Sequence, residues 1–124
     1  MNLFTQVIVS AIVFISLDLL YMYLNKRMLQ HTVIYIQRTV IQPRHESFLL
    51  CYLLLLSGLW YFIILKRRSI EEAFALGILI YGVFESTNYG IFKKWPIELA
   101  VIDTVWGGAL FALTTSFVYY IKSN

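Results

Sequence analysis

Three carboxylates stand inside apolar runs of this chain: Asp18, Glu85 and Asp103. An acidic residue at the centre of a membrane helix costs about 2.5 to 3.5 kcal/mol on insertion scales, so each one needs a physical reason to be there. Asp18 precedes Asn25 by seven residues, Glu85 precedes Lys93 by eight, and Asp103 follows Pro96 by seven. At a rise of about 1.5 Å per residue, all three lie about 10 to 12 Å below the same membrane face. Helical spacing gathers other polar groups around them. Tyr81, Glu85 and Asn88 share one face, Asp103, Trp106 and Gly107 another, and Asp18 and Tyr21 a third. No Lys or Arg lies at that depth, so three close carboxylates repel unless at least one is protonated or a cation sits among them.

The candidate ligand- or ion-binding residues are therefore Asp18, Tyr21, Tyr81, Glu85, Asn88, Asp103 and Trp106. Asp18, Glu85 and Asp103 are the candidates for holding a metal ion. A purely structural reading competes with this one. Lys26, Arg27, Lys93 or Lys94 can neutralise acids by reaching in along their stems, and carboxyls can hydrogen-bond across helices to hold a bundle together. His31 and His45 fall on the same side and would complete a carboxylate and imidazole metal site, but their spacing matches no ligand motif and suits interfacial surface histidines better. Cys51 is the single cysteine, which excludes an internal disulfide and a thiolate metal site. With no Gly-rich phosphate loop, no His-rich set and no Ser, His and Asp arrangement, no cofactor is expected and no catalytic residue is assigned.

The elements that position these residues follow from composition. Of 124 residues, 60% are hydrophobic and only 14% charged, with mean hydropathy +0.72. That excludes an ordinary soluble globule and a disordered chain, and predicts an integral, multi-pass protein in contact with the lipid bilayer. The net charge of +3 does not indicate nucleic acid, because Lys and Arg sit in short clusters between apolar runs, as they do beside membrane spans.

A span needs about 20 mainly apolar residues. Four runs qualify, at about residues 3–24, 48–65, 73–92 and 97–121, which predicts an all-α, single four-helix transmembrane domain over residues 1–124. The first run has no basic n-region and no small-residue cleavage pattern, and is expected to be retained. Between the first two spans, over about 28–42, Leu29, Val33, Ile36 and Val40 recur at helical spacing, which predicts an amphipathic helix on the membrane surface, ended by Pro43. Ser69 with Glu71 and Glu72 reads as a helix start, and Pro96 as the first residue of the last helix. Small residues recur at Gly82, Ser86 and Gly90 and at Gly108, Ala112 and Ser116, predicting packing seams or an oligomer contact. Basic residues divide four against six between the two sides, which favours the first and third loops as cytoplasmic.

The chain resembles a family of four-helix membrane proteins called domain of unknown function 2177. Leu17, Asp18 and Tyr21, then Glu85, Thr87 and Asn88, then Trp95 and Pro96, and finally Asp103, Trp106 and Gly107 carry the likeness over nearly the whole length. The family usually has aspartate where Glu85 stands and tryptophan where Tyr21 stands. The resemblance implies a four-helix membrane fold with a polar layer, and no activity. The leading expectation is a small transport or permeation protein that binds a proton, a cation or a cationic solute, and works as a homo-oligomer because four helices make a thin wall. The alternatives are an intramembrane enzyme acting on a lipid or isoprenoid, and a structural or assembly subunit.

Overall fold

The computed structural model describes residues 2–37 and 45–123, and every regular element among them is helical. Helix α1 runs Leu3–Leu24, α2 Lys26–Gln37, α3 His45–Leu59, α4 Ile70–Ile91 and α5 Ile97–Ser123. Helix α3 continues without a break into a π-helical turn, Trp60–Ile64, in which the Leu65 N–H donates to the Trp60 carbonyl and the Arg68 N–H to that of Ile63. The wider turn swings Trp60, Ile63 and Ile64 inward, where they join Phe14, Leu110 and Phe111 in the core.

Three helical segments are long and apolar enough to cross a membrane: Leu3–Leu24, Glu46–Ile64 and Ile97–Ile121. Helix α4 matches α1 in length, at 22 residues, but is not one of them. Its last two turns carry Glu85, Ser86, Thr87 and Asn88, and these polar groups dilute an otherwise apolar run. A helix, α2, occupies the segment between the first two apolar runs, while its expected continuation to Gln42 and stop at Pro43 lie outside the described residues.

Local chemistry sets the helix ends. Asn2 caps α1 through its side-chain oxygen, which accepts from the Thr5 N–H at 2.8 Å. Ser69 and Glu72 form a reciprocal capping box on α4, with the Glu72 N–H donating to Ser69 Oγ and the Ser69 N–H to Glu72 Oε1. Arg67 takes a left-handed conformation, φ 52°, to reverse the chain ahead of that cap. Helix α5 begins at Ile97, one residue later than expected, and the Pro96 carbonyl accepts its first bond, from the Ala100 N–H.

Helices α4 and α5 form the tightest pair, an antiparallel hairpin, and α1 packs mainly on α5. The close approach is made by Gly77 against Gly107 and Gly108. A Cβ on Gly77 would collide with the Gly107 backbone, and one on Gly107 would enter the Tyr81 ring. Of the glycines expected in seams, Gly108 sits in this contact and Gly82 meets the Thr104 side chain across the same pair, while Gly90 faces open space. The closest approach is made by Gly77 and Gly107, which were not among the expected seam residues.

Two tests follow from these elements. Gly77→Ala pushes backbone against backbone and should destabilise the protein by about 1–3 kcal/mol in detergent unfolding, whereas Gly90→Ala should leave it unchanged. Glu72 lies in the first turn of α4, and the Arg68 guanidinium, then the Ser69 N–H, hold its carboxyl below the usual carboxylate range. A carboxylate held low contributes stability at neutral pH that is lost as pH falls through its folded value. Glu72→Gln should therefore lower the unfolding midpoint at neutral pH, and the gap to wild type should close in acid below the ordinary carboxylate range.

Candidate functional site

The polar layer is built where α1, α3, α4 and α5 meet. Asp18 accepts from two neutral donors, Tyr52 Oη at 2.7 Å and Trp106 Nε1 at 3.1 Å. Asp103 accepts from the Tyr21 hydroxyl. The rings of Tyr21 and Trp106 stack at 4.9 Å with planes 8° apart, so the donor to one aspartate lies flat on the donor to the other. The Tyr21 hydroxyl lies within electrostatic reach of all three acids.

Glu85 completes the layer differently. It is 1% exposed, and neither carboxyl oxygen has a hydrogen bond of good geometry. Its polar neighbours are the Asp103 carboxyl and the Trp95 indole, whose own N–H is also buried and unpartnered. Its burial is a consequence of helical spacing. Gly77, Tyr81 and Glu85 stand four residues apart, so the glycine seam that presses α4 onto α5 turns Glu85 into the same interface.

Of the seven candidate residues, five are thus brought together: Asp18, Tyr21, Glu85, Asp103 and Trp106. Tyr81 adjoins them as a packing residue, its ring against Gly107 and edge-on to Phe111 at 6.5 Å. Asn88 is half-buried about one turn further along α4, and no hydrogen bond joins its side chain to the acids. Among the described residues, no three His, Cys, Asp or Glu groups are placed to hold one metal ion. His31 is exposed on α2, and the His45 side chain lies outside the described residues.

Tyr52 is the functional-site residue that sequence reasoning missed. It sits among leucines in α3 and reads there as apolar bulk, yet its hydroxyl is the closer of the two donors to Asp18. A rule that every hydroxyl inside a span must find a partner would have flagged it. Lys26 lies over the Tyr23 ring at 4.6 Å, and the bonds from Tyr21, Tyr52 and Trp106 to the two aspartates are the cross-helix hydrogen bonds that the structural reading allows.

Residues 3–120 match the family model described as predicted membrane protein (DUF2177). The chain belongs to that family. It is a membrane protein, in agreement with its three helices apolar enough to span. No curated protein and no solved structure gives a match to this DUF2177 chain.

Two clefts flank the layer. One, of about 180 Å³, touches Asp18, Tyr21, Tyr52, Tyr81 and Asp103. The other, of about 330 Å³, is a groove between α4 and α5 with Glu85, Ser86 and Thr104 in its wall. Asp103 lines the first and Glu85 the second.

Tyr52→Phe and Trp106→Phe each take one donor from Asp18, and each should cost about 1–3 kcal/mol of stability. Because both serve the same acid, the double variant should depart from the sum of the singles by about 0.5 kcal/mol or more in a detergent unfolding cycle.

Proposed function

We propose that this DUF2177 protein is a small transport or permeation protein whose carboxylate layer binds and passes on a proton or a cation. The observation that carries the reading is Glu85, a carboxyl with both oxygens buried, no hydrogen-bond donor, and the Asp103 carboxyl beside it. Two ionised acids in that arrangement, away from water, are too costly to persist, so the pair holds a proton or attracts a positive charge. In this reading α4 is the fourth membrane crossing. Its acid is tolerated because Glu85 is buried against α5, and α2 lies along the interface with its apolar side in the lipid. Asp103 lines one cleft and Glu85 the other, so a mobile charge can approach each of the two acids. A homo-oligomer would thicken the wall around that route.

A second reading is supported by the α4–α5 groove, in which Ser86, Thr104 and Glu85 line an otherwise apolar channel. It suits an intramembrane enzyme that takes a lipid or isoprenoid from the side, with Glu85 as the acid.

The test is flux in reconstituted liposomes, with wild type and Glu85→Gln followed by a proton-sensitive dye over a pH series and in several salts. Wild type should conduct and the variant should lose at least nine-tenths of the rate while inserting normally. Absence of flux from correctly inserted wild type rejects transport and leaves the lipid-enzyme reading, to be followed by mass spectrometry of bound lipid.

A further inference from the structure

The smaller cleft has a chemical character of its own. Asp18 and Asp103 stand in its wall beside the rings of Tyr21, Tyr52 and Tyr81, and the remaining lining, including Phe48, carries no charge. It opens among α1, α2 and α3 with α4 and α5 behind it. Negative charge, aromatic rings and an uncharged wall meet in one space of about 180 Å³.

This combination discriminates among cations. A calcium ion needs about six to eight oxygen ligands to replace its water, and smaller ions hold their water harder still. The carboxylate oxygens here already accept from Tyr52, Trp106 and Tyr21. No three His, Cys, Asp or Glu groups converge on one point among the described residues. An alkylated ammonium ion has no comparable hydration shell to replace. It is drawn by the net negative charge of the layer and by ring faces, and its alkyl groups gain from leaving water. Both aspartates accept only from neutral donors, so no basic group in the cleft wall competes with a cation for them.

We propose that the cleft between α1, α3 and α5 binds an alkylammonium ion, its charged head beside Asp18 and Asp103 and its alkyl groups against the tyrosine rings and Phe48. This deepens the transport reading, on which it rests, by naming the class of cation. The Tyr21 and Tyr52 hydroxyls remain bonded to the aspartates, so no hydrogen bond of the layer has to break on binding.

The experiment uses the full chain in a neutral detergent, with tetramethylammonium as the probe and sodium, potassium and magnesium as competitors. Binding is read by calorimetry and by tryptophan fluorescence, to which Trp106 reports directly because it bonds Asp18 and stacks on Tyr21. Saturable binding is expected, unaffected by equal concentrations of potassium. It should weaken at least tenfold in Asp18→Asn. Cys51→Phe, which fills the cleft from its exposed rim and keeps every carboxylate, should weaken it to a similar extent, so that a folding defect in the first variant leaves the second decisive. Equal competition by sodium or potassium overturns the proposal in favour of an inorganic ion, and so does failure of tetramethylammonium to bind. Liposome flux separates the two claims. Proton flux without tetramethylammonium binding overturns the alkylammonium site and keeps transport, whereas binding without flux of any cation keeps the site and rejects transport.

Discussion

A single carboxylate, Asp18, ties three helices together. Lipid chains are as apolar as leucine, so helices in a bilayer gain little from hiding apolar faces against one another and depend on packing and polar contacts. Asp18 on α1 accepts from Tyr52 on α3 and from Trp106 on α5. Helices α1 and α3 make few other close contacts, and a second polar link joins α1 to the π-helical turn that continues α3, the buried bond from Trp60 Nε1 to Ser10 Oγ at 2.9 Å. Both links use a tryptophan or tyrosine as donor and a short side chain on α1 as acceptor. The π-helical turn is what brings Trp60 round to make the second.

The other half of the molecule is held by the absence of side chains. Gly77 lies on the Gly107 backbone and Tyr81 packs over Gly107, so α4 and α5 are closer than any larger residue would permit. Close approach leaves no room for a side chain between Gly77 and Gly107. Glu85, one turn beyond Tyr81, is carried into that interface whether or not a partner awaits it. Its unpartnered carboxyl is therefore a consequence of the glycine seam, and the cost of burying it is borne by the packing that the seam permits.

Much of this was legible in the sequence because it depends on one helix at a time. Apolar runs mark α1, α3, α4 and α5, and the cost of an acid in lipid marks Asp18, Glu85 and Asp103 before any contact is known. The capping box at Ser69 is a local pattern and reads directly. What was not legible depends on how helices are rotated against each other. Trp106 shares a face with Asp103 on α5, yet it bonds Asp18 on α1. Gly82, Ser86 and Gly90 repeat at helical spacing, yet the closest approach is at Gly77, more than three turns before Gly90. Tyr52 was overlooked because a hydroxyl costs so much less than a charge that it does not stand out from its apolar neighbours. The polar dilution of α4 was visible in its residues, but which of them is buried, Glu85, emerges only from the packing against α5.

The three acids are graded by what satisfies them. Asp18 accepts from two neutral donors and Asp103 from one, whereas Glu85 has the Trp95 indole beside it but no hydrogen bond of good geometry. Neutral donors are decisive here. A lysine or arginine at the same depth would form a lasting ion pair and cancel the charge, whereas a phenol or an indole lowers the cost of an aspartate without neutralising it. The layer therefore keeps negative charge in a low-dielectric setting, where its attraction for a positive charge is far greater than in water. The stacked Tyr21 and Trp106 rings, each the donor to a different aspartate, join Asp18 and Asp103 into one packed unit.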